Sequence, residues 1–134
     1  MVSLLGNPTD VLVRADQMPM TVGDIDSSLK LLLVYVSKHD CPPCREFTPM
    51  LAELYREMNE SGMVFEVVFV SGDATTEAYT EYLGEMPWPA LPHKDPRIKA
   101  IAKRFQVKGV PRLIALNAKT AEVIHESAVA IVKE

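Results

Sequence analysis

Two apolar runs, Leu29–Val36 and Met63–Val70, bracket a stretch of helical period in this chain. The runs are rich in Leu and Val and too continuous to alternate, so they predict strands covered on both faces. Between them Phe47, Leu51, Leu54, Tyr55 and Met58 recur at helical spacing, with Glu46, Glu53, Arg56 and Glu57 turned outward and Gly62 marking the end. Pro49 falls inside that helix and deletes one of its backbone hydrogen bonds. Strand, helix and strand in this order predict a βαβ crossover.

The remaining chain extends that core. Val11–Val13 and the residues up to Thr21 read as short extended pieces, a hairpin interrupted by Pro19. Asp73 is predicted to cap a helix over Thr75–Leu83. Three prolines between Met86 and Pro92 predict an extended surface loop. Asp95 and Pro96 read as the cap and first position of a helix whose apolar face is Ile98, Ile101, Ala102 and Phe105. Gly109 and Pro111 then break the chain before a strand at Leu113–Leu116, and Asn117–Thr120 turn it into a partner strand at Glu122–His125. The expected architecture is α/β: a mixed central sheet flanked by helices on both faces. One domain is expected over residues 1–134, with an extended N-terminal segment at 1–28 and the core at 29–134.

The only two cysteines, Cys41 and Cys44, fall where the first predicted strand ends and the helix begins. Unpaired N–H groups and the positive dipole end of a helix favour an anionic thiolate there. Two thiols at this spacing can exchange between dithiol and disulfide: Cys41 is placed to attack and Cys44, one turn inside, to resolve the mixed disulfide. Pro42 and Pro43 suit the first helical positions and leave the N–H groups of Cys44 and Arg45 available. Two alternatives stand beside this reading. The cysteines could pack as small hydrophobes, or bind a metal, for which only His39, His93 and His125 could join them; no metal is expected. His39 reads as a solvated loop residue.

The net charge is −4, with 14 basic and 18 acidic residues well mixed, which gives no electrostatic case for nucleic acid or a membrane surface. The first residues lack the basic and apolar pattern of a secretory signal, and the longest apolar run is far short of the roughly 20 residues of a membrane helix. With only one close pair of cysteines, these features lead to the expectation of a cytoplasmic, monomeric protein without a membrane association.

Four segments together carry a family resemblance: Cys41-Pro42-Pro43-Cys44-Arg45, Phe65–Ser71, Met86-Pro87-Trp88-Pro89-Ala90-Leu91-Pro92 and Gly109-Val110-Pro111. From Leu29 onward the chain resembles the tryparedoxin and nucleoredoxin branch of the thioredoxin superfamily. The resemblance implies a thioredoxin fold, with Pro111 as a cis-proline facing the cysteine pair and Val110 offering backbone hydrogen bonds to substrate. It implies a thiol–disulfide oxidoreductase with no bound cofactor, with trypanothione or another small dithiol as electron donor. Its implied partners are disulfide-containing proteins of the peroxiredoxin type. The surface expected to meet them comprises Asp40, Pro42, Trp88, Val110 and Pro111. Asp40 stands where the family usually has tryptophan, and its charge opposes a neighbouring thiolate. Gly72 and Ala74 replace an aromatic and an acidic residue, and a basic residue is missing around Ala128. These departures imply an alternative, a binding module of weak redox activity on the same scaffold. The family also continues past Glu134, so a stunted closing helix is expected.

Overall fold

The computed structural model describes residues 5, 9–16, 18, 20–25, 29–60, 64–120 and 122–125. The predicted hairpin near the N-terminus is present as β1 (Val11–Leu12) and β2 (Met20–Thr21), paired antiparallel. The core then runs β3 (Leu31–Ser37), α1 (Pro42–Met58), β4 (Phe65–Ser71), α2 (Thr76–Leu83), α3 (Pro96–Arg104), β5 (Arg112–Asn117) and β6 (Val123–His125). The positions assigned to Pro19, Gly62, Ala128 and a closing helix lie outside the described residues.

The sheet order is β4-β3-β5-β6. The β3–β4 pair is parallel, as a helical crossover demands, and β3–β5 and β5–β6 are antiparallel. Successive side chains of β3, β4 and β5 point to opposite faces and fill two cores. Leu33, Tyr35, Val67, Phe69, Leu113 and Ala115 pack with α1 and α2 residues such as Phe47, Leu51, Tyr55 and Tyr82. Leu32, Val34, Val68, Val70, Ile114 and Leu116 pack with Ile101 of α3, with Phe105 at its C-cap and with Leu12, Val22 and Ile25. Helices thus cover both faces, and this is why the strands read as continuous apolar runs.

The proline-rich segment departs from the sequence expectation. Met86, Trp88, Pro89, Ala90 and Leu91 are buried, not laid on the surface. The reason is the edge of β4, whose backbone groups would otherwise have no partner. Phe69 N–H donates to the Pro89 carbonyl, and Leu91 N–H to the Phe69 carbonyl, each at 3.0 Å. Val13 and Ala90 exchange two further bonds at 2.8 Å. Prolines suit a cover strand of this kind because few of its own N–H groups need partners.

The start of α2 also differs. Thr75, not Asp73, is its cap, accepting from Ala78 N–H at 3.2 Å. Asp73 is instead committed to the loop that precedes Cys41, described below. Asp95 caps α3 as predicted and pairs with Arg97 Nε at 2.8 Å, and that guanidinium holds its carboxyl below the usual range.

Candidate active site

Cys41 is the N-cap of α1, in extended conformation, and Pro42 and Pro43 occupy the first turn. Because prolines lack an N–H, the first donor reaching back is that of Cys44, 3.4 Å from Cys41 Sγ. The Arg45 N–H, expected to remain free for the sulfur, is taken by the Cys41 carbonyl at 3.1 Å in the opening bond of the helix. On the other side, Cys41 Sγ lies 3.9 Å from the Val110 carbonyl oxygen, and the Val110–Pro111 peptide is cis. Cys41 is partly exposed and Cys44 is buried, and both are free thiols.

The loop into Cys41 is held from below. Asp73 Oδ1 accepts from His39 N–H at 2.7 Å, and its Oδ2 accepts from Ser71 Oγ at 2.8 Å. His39 is not the solvated side chain predicted: it is 22% exposed, edge-on to the Tyr82 ring at 5.4 Å, with Nε2 3.8 Å from Glu85. Asp40 is exposed beside Cys41, and Pro42 is exposed next to it. A groove of about 300 Å³ opens on the far side of Val110, floored by Val36, Val70, Ile98 and Val107, with Lys38 and Lys108 at its rim. The Lys38 stem runs so close over Gly72 that a Cβ there would sit 2.9 Å from Lys38 Cγ.

The structure brings Asp40, Pro42, Cys41, Cys44, Val110 and Pro111 together and leaves Trp88 out. Trp88 is 0% exposed in the core beneath α1, its ring 5.5 Å from that of Tyr55 and 6.1 Å from that of Tyr35. It has no surface with which to meet a substrate, and its Nε1 is the buried side-chain polar atom without a partner among the described residues.

Four hydroxyls that the sequence reading passed over converge beneath Cys44. Thr48 Oγ1 donates to the Cys44 carbonyl at 2.9 Å, and Tyr35 and Tyr82 hydroxyls lie 3.4 and 3.3 Å from the same oxygen. Tyr35 and Tyr82 reach Thr48 Oγ1 at 2.7 and 2.6 Å, and Ser37 Oγ reaches the Tyr82 hydroxyl at 2.6 Å. Burial, and then the neighbouring Cys41, push the Cys44 thiol up to about 11. Burial also pushes the Tyr35 and Tyr82 hydroxyls up, so they act as neutral dipoles. One signal was available in the sequence: polar Ser37 and Thr48 stand at core positions of β3 and α1.

A partly exposed thiol at a helix start, a buried thiol one turn on and a cis X-Pro bond facing the first sulfur are set on a parallel β-α-β core with an antiparallel flank. Together they define a thioredoxin fold carrying a dithiol site. A family model described as thioredoxin-like matches residues 28–123, and the chain belongs to that family, in its tryparedoxin and nucleoredoxin branch. It is 46% identical over 98 residues to a probable nucleoredoxin 1 of Arabidopsis thaliana, covering 73% of this chain and 17% of that relative's length. Native tryparedoxin I from Crithidia fasciculata superposes with a TM-score of 0.86 at 33% identity, covering 98% of this chain and 88% of that one. A tryparedoxin II complexed with glutathionylspermidine gives a TM-score of 0.83 at 28% identity, with 98% and 89% covered. Among the described residues no helix is long and apolar enough to cross a membrane, and no cluster of three or more His, Cys, Asp or Glu is placed to hold a metal.

Proposed function

We propose that this protein is a thiol–disulfide oxidoreductase that reduces disulfides of partner proteins. The reading is carried by one observation: the Cys41 sulfur sits between the Cys44 N–H and the Val110 carbonyl, with the buried Cys44 in the first turn of the helix that Cys41 caps. Cys41 thiolate attacks a substrate disulfide, forming a mixed disulfide and releasing one substrate thiolate. Cys44 then attacks Cys41, the protein disulfide forms and the second substrate thiolate leaves. A small dithiol, trypanothione or one like it, restores the reduced pair without any bound cofactor. The ligand of the tryparedoxin II complex supports a thiol of that size and class. Substrates of the peroxiredoxin type follow from the same kinship.

Val110 and Pro111 align the incoming segment, Pro42 and Asp40 border it, and the groove beyond Val110 takes the chain next to its disulfide. The cytoplasm, where glutathione keeps thiols reduced, suits such a pair. The test is reduction of insulin or of a peroxiredoxin-type peroxidase with dithiothreitol or trypanothione as donor. Turnover is expected for the intact protein, and a rate no higher than that of Cys41→Ser overturns the proposal.

A second reading is motivated by Asp40, exposed beside the first sulfur where relatives of this branch usually have tryptophan. In it the fold is a binding module with slow chemistry. It requires a weakly reactive Cys41 and partner capture that survives loss of both thiols, and Asp40→Trp is expected to speed exchange, an unchanged or slower rate counting against this account of Asp40.

A further inference from the structure

Beyond the groove on the far side of Val110 lies a second hollow of about 410 Å³, lined by Asp73, Lys94, Asp95 and Lys99. The two share Ser71, Gly72 and Ile98 as walls, so they form one trough that leads from Val110 across Gly72 to the start of α3. They join there because residue 72 has no side chain. The Lys38 stem takes the place instead: a Cβ at Gly72 would meet its Cγ at 2.9 Å, its Cδ at 3.4 Å and its Cε at 3.7 Å. A lysine laid flat in this way packs its methylenes on the protein and brings its ammonium to the rim.

The trough combines two chemistries. Half-buried Ile98, Val107 and Val110 give it an apolar floor. Four lysines line it, Lys38 and Lys108 along the first hollow and Lys94 and Lys99 along the second. The two acids in its walls are committed elsewhere: Asp73 accepts from His39 N–H and Ser71 Oγ, and both oxygens of Asp95 accept from Arg97. None of the four ammonium groups has an ion-pair partner among the described residues. In a chain of net charge −4 this is a local excess of positive charge, and complementary charge steers and selects a partner more than it raises affinity. Asp40, exposed beside Cys41, lines neither hollow, so a partner's acid is attracted over Gly72 and repelled at Asp40.

We propose that this trough is a specificity site for an acidic segment of the partner protein. The residues next to the substrate cysteine lay an apolar side chain against Ile98 and Val107, and carboxylates farther along meet Lys38, Lys94 and Lys99. Lys38 sets the choice, and Gly72 is the positioning residue that gives its stem room. The proposal rests on the oxidoreductase reading and names the substrate class of that same site.

The experiment mixes the reduced protein with short peptides whose single cysteine is a disulfide with 2-thiopyridine. Cys41 thiolate attacks the peptide sulfur, forms a mixed disulfide with it and releases pyridine-2-thione, read by absorbance. Cys44 then attacks Cys41, the protein disulfide closes and the peptide thiol leaves. Two electrons and the two thiol protons pass from the protein to the products. Each peptide has Leu beside the cysteine and a pair of Glu, Gln or Lys residues beyond it, N-terminal to the cysteine in one set and C-terminal in the other. Exposed ion pairs are individually weak, so the second-order rate with Glu is expected to exceed that with Gln by roughly three- to tenfold in one set at low salt, with Lys slower than both. The ratio falls toward one in about 1 M salt, where screening acts within roughly 3 Å. Lys38→Met, which keeps the stem, lowers the ratio, as do Lys94→Gln with Lys99→Gln and, by displacing Lys38, Gly72→Trp. A Glu-to-Gln ratio of one or less in both sets, or one that all of these substitutions leave unchanged, overturns this proposal and leaves the oxidoreductase reading standing. A ratio of one that rises on dilution, the sign of a second copy of the chain seated in the trough, also overturns it. Release no faster than from Cys41→Ser overturns both.

Discussion

Raising pH on the reduced protein perturbs the two thiols unequally, and the structure says by how much for the inner one. Burial and the neighbouring Cys41 move Cys44 from an ordinary 9.0 to about 11. At 1.36 kcal/mol per tenfold change this makes the buried anion about 2.7 kcal/mol more costly than in water. At pH 9, where an ordinary thiol is half ionised, roughly one Cys44 in a hundred carries charge. The assay is carbon NMR of protein labelled at the cysteine Cβ, whose resonance reports ionisation of its own sulfur, titrated in native buffer and again in denaturant. Cys44 is expected to stay protonated through pH 9 in the native protein and to titrate at its ordinary position once unfolded. Because the folded value is the higher one, the matching stability is present below about pH 9 and is withdrawn as pH rises toward 11. A native Cys44 half ionised at or below pH 9 refutes the account of its surroundings.

Three further outcomes follow from the same structure. Glu66 is buried, accepts from Tyr55 at 2.8 Å and from Val67 N–H at 2.9 Å, and burial raises its pKa above the usual carboxylate range. Its stabilising contribution is therefore complete below an unfolded value of about 4.3 and fades as pH rises through its folded titration, so Glu66→Gln should flatten that part of the pH dependence seen in denaturant unfolding; equal slopes contradict it. Asp73→Ala removes the acceptor of His39 N–H and Ser71 Oγ and should cost about 2 kcal/mol or more in urea unfolding, because both bonds run to a buried charge. Trp88→Phe deletes an indole N–H that has no partner as well as some packing, so its loss in the same assay should stay well below the roughly 3–5 kcal/mol of a Trp→Ala truncation.

The local pattern was enough to specify much of this molecule. Short continuous runs rich in Leu and Val, set off by turn residues, point to strands buried on both faces, and β3 and β4 are such strands. The helical spacing from Phe47 to Met58 gave α1, and Asp95 with Pro96 gave the start of α3, because caps and first positions are set by residues adjacent in sequence. The cysteine pair at the strand-to-helix junction marked the site for the same reason.

What required the tertiary structure was every contact whose partner is far along the chain. The prolines around Trp88 read as surface because their local chemistry favours extended backbone, but the unpaired edge of β4 draws that segment inward and buries the indole. Asp73 has the chemistry of a helix cap, and the loop before Cys41 claims it instead. Ser37, Thr48 and Tyr82 are 11 and 34 residues apart in turn, and only the packing of α1 and α2 on one face of the sheet gathers their hydroxyls under Cys44. Hydrophobic period fixes which face a residue occupies; which polar groups meet on that face depends on how the layers stack, and no local signal encodes it.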